Sequence, residues 1–168
     1  KKYKIIAGDV SPVMINIFNE KIKKNKIKNI VTKIVDLNKK LNFKDKKFDI
    51  VINVHSLFML EDKYRTILEF CRVLKKGGFL IIVHHKPLNL LKGMIITIKK
   101  EGFIIGLKTL LRLIRIGFFN IFLGQIHKRI YGDFNSNKII KFLRKKGFYH
   151  VFRKVLYNGF DEFLVFRK

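Results

Sequence analysis

The sequence predicts an α/β domain built on a mostly parallel sheet. Short apolar, often β-branched runs recur at KIIA (4–7), NIVTKIV (29–35), FDIVINV (48–54) and FLIIV (79–83). The segments between them carry apolar residues at helical spacing, and FDIVINV is nearly continuous rather than alternating, as in a central parallel strand. Strand–helix alternation of this kind closes through right-handed crossovers.

Each element has its own local justification. Lys4–Ala7 makes a first strand, with Asp9 just past its end. Ser11 reads as an N-cap and Pro12 as the first helical residue, where a missing N–H costs nothing. The helix runs to about Lys24, with Val13, Met14, Ile17, Phe18 and Ile22 as its buried stripe. The second strand ends at Asp36, and a polar loop leads to Phe48–Val54. A helix is predicted over Glu61–Leu74, with Tyr64, Ile67, Leu68, Cys71 and Leu74 on one face. Glu61 and Asp62 suit its N-terminus and Lys75 and Lys76 its C-terminus, where Gly77-Gly78 stops it. Residues 86–132 break the rhythm with long apolar stretches. Asn135-Ser136 can cap a last helix to about Lys146, ended by Gly147. Strands at Phe148–Val155 and Phe163–Phe166, joined through the turn Asn158-Gly159, finish the chain.

Composition narrows the class. With 168 residues, 48% of them hydrophobic, the chain can bury a core as one domain. A single cysteine, Cys71, excludes an internal disulfide and any multi-cysteine metal site, and no metal is expected. Residues 1–9 do not read as a signal peptide, which points to a cytoplasmic protein. The net charge of +25 invites a polyanion. Lysines, however, are scattered through every segment, as a bias toward Lys, Ile, Asn and Phe would produce, so specific nucleic-acid binding is not expected.

In this order the elements resemble the class I S-adenosylmethionine-dependent methyltransferases, most closely the small-molecule enzymes of the ubiquinone-biosynthesis type. The pieces that carry the resemblance are GDVSPVM (8–14), KIVDLNKKLNFKDKKFDIVIN (33–53), HSLFMLED (55–62) and ILEFCRVLKKGGFLIIV (67–83). IIKFLRKKGFYHV and the closing FLVFRK fit the family's last helix and hairpin. The resemblance implies a Rossmann-like sheet with flanking helices, S-adenosylmethionine as cofactor, and a small or lipid-like methyl acceptor.

It also implies site residues. Asp9, followed by Val10, would meet the ribose hydroxyls, since an acid at the carboxyl end of a parallel strand points into the ligand crevice. Asp36 would meet the adenine amino group, with Leu37 flanking the ring. Asn53 would lie beneath the methionine part. His55 is the candidate catalytic base, beside the acceptor, with shape or hydrogen bonding as its other role. His84 and His85 share that ambiguity. Asp49, near the start of its strand, reads as structural.

The family's strand with an acid and a glycine-rich loop, aspartate-x-glycine-x-glycine-x-glycine, does not occur in these residues, and Gly8 alone cannot replace it. The sequence therefore reads as a fragment or truncated form: the expectation is a fold incomplete at its N-terminus, beginning at the family's second strand. In the family the first strand lies between those of residues 4–7 and 48–54. Without it those two either pair directly or leave unpaired backbone groups. Weak or no binding of the cofactor by these 168 residues alone is the corollary. Within a single domain, residues 1–85 form a partial cofactor core, 86–132 a helical lid and 133–168 the closing elements. In the lid, Lys108, Arg112 and Arg115 fall on one helical stripe within 102–126. Three cations there argue against a membrane span, at about 2.5–3.5 kcal/mol each near a helix centre, and suit a lid or a peripheral membrane contact. His127, Tyr131 and Phe134 are further acceptor-pocket candidates. Two other functions remain open: a catalytically inactive scaffold of the same fold, and a basic membrane-surface or nucleic-acid-binding module.

Overall fold

Two parallel strand–helix–strand units organise the chain. In the computed structural model, residues 3–85, 95, 98–99, 102–105, 108, 111, 135–156 and 161–168 are described, with Phe58 and His85 as backbone alone. The first compact unit is Lys1–Asn42 and the second Phe43–Lys168.

In the first unit, β1 (Ile5–Asp9) and β2 (Ile30–Ile34) pair in parallel, with Ile5 opposite Ile30 and Asp9 opposite Ile34. Helix α1 (Pro12–Lys24) joins them, and the Ser11 side chain accepts the Met14 N–H at 3.4 Å, with Pro12 leading the helix. The expected stripe is only partly covered. Ile15 is buried, with Phe18 and Ile22 half-buried, whereas Val13, Met14 and Ile17 are exposed. A helix on two strands buries one narrow side, so i, i+3, i+7 wins over the wider stripe.

The second unit holds β3 (Phe48–Val54), a short 3-10 turn (Leu57–Met59), α2 (Lys63–Val73), β4 (Leu74–His85), α3 (Ser136–Lys145), β5 (Tyr149–Leu156) and β6 (Asp161–Arg167). Its sheet has the order β3-β4-β6-β5, parallel between β3 and β4 and antiparallel elsewhere. Among the described residues β1 has β2 alone as strand neighbour and β3 has β4 alone. Most residues of both strands are exposed or half-buried, so their edge groups can reach water.

Two local expectations are corrected. Helix α2 begins at Lys63 with Asp62 as N-cap, its side chain accepting the Arg65 N–H at 2.9 Å. Its buried residues are Thr66, Ile67, Phe70 and Val73, so Leu68 faces solvent and Cys71 is half-buried. The helix ends at Val73, and Gly77-Gly78 does not stop it: both glycines lie inside β4. Phe48 pairs with Leu74 but Ile50 with Phe79, so Lys75–Gly78 forms an irregularity opposite β3. Gly77 sits at φ +77, and a Cβ on Gly78 would come within 2.8 Å of the Asp49 carbonyl.

The flanking residues of that motif hold the same corner. Arg72 forks onto Glu69 at 2.8–2.9 Å and reaches Asp45 and the Phe43 carbonyl. Lys75 meets Asp49 at 2.8 Å, which holds the Asp49 carboxyl below its usual range. Lys168 Nζ donates to the Cys71 and Leu74 carbonyls at 2.6 and 2.9 Å, a cationic cap on the end of α2.

The turn at Asn158-Gly159 lies outside the described residues. So do most of 86–132, including Arg112 and Arg115, and also His127, Tyr131 and Phe134.

Candidate functional site

A parallel strand delivers its last side chains to the carboxyl edge of the sheet, and each unit has such an edge. In the first unit, Asp9 is the last residue of β1 rather than the first beyond it. Its Oδ1 accepts the Ser11 N–H at 2.8 Å, and the side chain is exposed. Val10 is exposed as well. Asp36 lies two residues beyond β2, with Oδ1 on the Asn38 N–H at 2.9 Å and Oδ2 3.5 Å from Lys39 Nζ. Leu37 is half-buried. Both acids thus stand at the same end of the pair, each with one oxygen committed to its own turn. A hollow of about 230 Å³ beside Asp9 is lined by Gly8, Asp9, Met14, Ile17, Phe18 and Lys21, among others, and not by Asp36. A Cβ on Gly8 would lie 2.8 Å from Val35 Cγ2, so the absence of a side chain there serves packing against Val35.

In the second unit, Asn53 is the penultimate residue of β3 and His55 the first beyond it. Asn53 is 5% exposed; its Nδ2 donates to Ser56 Oγ, while Oδ1 is buried and has no hydrogen-bond partner among the described residues. Turning the amide over would only exchange which end is unpaired, and a buried unpaired amide end costs about 1–3 kcal/mol. A ligand donor supplied at Oδ1 would remove that cost. The ammonium of an amino-acid-like cofactor has the right chemistry, so Asn53 fits S-adenosylmethionine on this point.

His55 has a left-handed backbone, φ 52, and its N–H donates to the Val83 carbonyl at 2.9 Å. Its Nε2 lies 3.3 Å from Oδ2 of Asp161, the first residue of β6. One residue on, Glu162 points to the opposite face of the sheet, as alternation requires. There Ser136 Oγ, at the start of α3, lies 2.8 Å from His84 Nε2 and donates to Glu162 Oε2. Arg153 closes the cluster with Nε and Nη2 each 2.7 Å from Glu162 Oε1. Burial pulls the Glu162 carboxyl up, but the bonds from Ser136 and Arg153 and the charges of Arg153 and His84 outweigh it and hold it below its ordinary range. Ser, His and Glu are all buried here, and the serine touches both partners rather than standing at the end of a relay. This arrangement ties α3 to the sheet and offers no exposed nucleophile.

The partners of the two histidines, Asp161 on one face and Ser136, Arg153 and Glu162 on the other, escape the sequence reading. Their one signal is the pair Asp161-Glu162 directly ahead of an apolar strand, in a chain otherwise rich in cations. Cys71 is no nucleophile either, since burial pushes its thiol up to about 11.

This topology, βαβ units with ligand-facing residues at the carboxyl ends and a closing antiparallel hairpin, is that of a Rossmann-like methyltransferase. A family model described as "Methyltransferase domain" matches residues 1–82. Among solved structures, a SAM-dependent methyltransferase from Aquifex aeolicus is 17% identical, with TM-score 0.63 over 98% of this chain and 68% of that one. The [4+2]-cyclase SpnF is 14% identical, with TM-score 0.66 over 99% of this chain and 66% of its own. The trans-methyltransferase CalH, in complex with SAH, is 15% identical, with TM-score 0.63 over 98% of this chain and 42% of its own. The comparison with curated proteins finds no match. The family model's match over residues 1–82 and the shared fold together support a class I S-adenosylmethionine-dependent methyltransferase.

Proposed function

We propose that this chain takes part in methyl transfer from S-adenosylmethionine to a small or lipid-like acceptor. The observation that carries the reading is the family match over residues 1–82, the stretch that contains Asp9, Asp36 and Asn53 at strand carboxyl ends. When bound, the cofactor supplies a methyl group already activated on a sulfonium, so alignment is the main demand on the protein. Asp9 keeps Oδ2 for ribose hydroxyls while Oδ1 holds its turn. Val10 and Leu37 border the nucleoside, Asp36 accepts from the adenine amino group, and Asn53 Oδ1 accepts from the ammonium. His55 stands on the acceptor side. Its Nε2 faces Asp161 and its Nδ1 is shielded from solvent, which favours a wall and hydrogen-bonding role over that of a base.

The greasy acceptor and a peripheral membrane contact rest on exposed Ile95, Phe103, Ile104, Ile105 and Leu111 beside exposed Lys99 and Lys108. No helix among the described residues is long and apolar enough to cross a membrane. We place the protein in the cytoplasm on this reading, with that segment at a lipid surface.

SpnF, a cyclase by its own description, shows the same fold, so the reaction must be tested directly. Because the chain spans 42–68% of the three relatives named, the test uses the full reading frame that contains it. Calorimetry with S-adenosylmethionine and mass-spectrometric detection of demethylated cofactor, with lipid and quinol extracts as acceptors, are the two readouts. Binding with acceptor-dependent turnover is expected, with Asn53→Ala weakening cofactor affinity about tenfold or more. A full-length protein that neither binds nor turns over the cofactor would overturn the reading in favour of an inactive scaffold.

A further inference from the structure

Asp161 and Glu162 are adjacent acids on opposite faces of β6, and each meets a histidine from a different strand. On one face Glu162 is locked with His84, Ser136 and Arg153. On the other, Asp161 stands 3.3 Å from His55. The side-chain exposures are 7% for Asp161 and 30% for His55, so the acid is sequestered while part of the ring faces outward. His55 also holds a left-handed backbone, which a residue with a Cβ adopts at some cost unless its surroundings fix it. Two fixings are present: the backbone bond to Val83 from β4 and the side-chain approach to Asp161 from β6.

We propose that Asp161 is a positioning residue that holds the His55 ring, through a proton on Nε2, at the carboxyl edge of β3. The register makes this possible. Asp161 opposes His85 across β4–β6 and His55 reaches Val83 across β3–β4, so the start of an antiparallel strand comes to the end of a parallel one. A buried carboxylate is a strong acceptor for a ring N–H, and the pairing selects which nitrogen carries the proton. The inference rests on the proposed methyl transfer only in giving the exposed ring edge an acceptor to face. The Asp161–His55 contact can be tested without it.

The experiment is NMR of the isotopically labelled chain, run at one pH for every variant, with the ring N–H signals of His55 as the readout. A His55 Nε2–H protected from solvent exchange is expected in the unsubstituted chain. In Asp161→Asn, isosteric and neutral, its exchange should quicken about tenfold or more, and in Asp161→Ala the protected signal should vanish. Backbone amides of Leu80, Ile82 and Leu164 report whether each variant keeps its sheet, and Asp161→Asn decides the matter if Asp161→Ala does not fold. Glu162→Gln should leave the His55 ring proton protected. Protection unchanged in Asp161→Asn, or no protected ring proton in the unsubstituted chain, overturns the proposal. Neither result depends on whether the protein binds S-adenosylmethionine.

Discussion

Both faces of the four-stranded sheet carry apolar residues, and the two differ in what covers them. Asn53, Leu80, Ile82, Leu164 and Phe166 point to one face and are all buried. Their neighbours Ile50, Ile52 and Val54 point to the other and are 50%, 63% and 54% exposed. The covered face belongs to α2 and α3, which meet through Tyr64 and Phe142 with ring centroids 4.9 Å apart. Alternation in β3 thus sets Phe48, Ile50, Ile52 and Val54 on one face and Asp49, Val51 and Asn53 on the other, and Asn53 is the residue of the strand that is buried. An unbroken hydrophobic strand records what the fold can bury, and the packing of helices determines which half it does bury.

The difference predicts unequal costs for equal truncations. Ile82→Ala should lose about 2–5 kcal/mol of unfolding free energy in urea titration, from lost transfer and a residual cavity. Ile52→Ala, the same change on the other face, should cost well under 1 kcal/mol. Equal losses would mean that the second face is covered in solution. Gly78→Ala comes next, at about 1–3 kcal/mol, because its new Cβ meets the Asp49 carbonyl and Leu74 rather than solvent. A neutral result would show that the irregular segment of β4 relaxes freely.

An effect well below that of Ile82→Ala is expected from the polar cluster on the covered face. Glu162→Gln should cost about 1–1.5 kcal/mol at neutral pH. The sign of its pH dependence follows from a folded carboxyl held below its ordinary range. As pH falls, the unfolded chain binds the proton first. The contribution is therefore complete above the ordinary glutamate value of about 4.3 and lost as pH drops through the lower folded value. Stability curves of the parent and the Gln variant should converge on acidification, and parallel curves would remove Glu162 from the acid limb.

Much of this was legible in the residues. Ser11 and Asn135 each cap a helix where capping chemistry placed a start, and FDIVINV is the parallel strand its composition described, though it lies at the end of its sheet rather than at its centre. The glycines of RVLKKGG misled, because a Gly pair after a helix reads as a stop, whereas here Val73 ends α2 and the pair serves close approach inside β4. Of the site, Asp9, Asp36, Asn53 and His55 could be placed at strand ends from local pattern alone. Asp161 could not be joined to His55, since 106 positions separate the two in sequence.

What the sequence determined by itself is therefore the short-range part: which segments extend, which coil and where most caps fall. Those follow from periodicity, side-chain branching and turn chemistry, all of which act within a few residues. The tertiary structure alone decided which face of each element is covered. It also set Asp161 and Glu162 on two different histidines. Such pairings depend on strand order and register, and a shift of one residue would exchange every one of them.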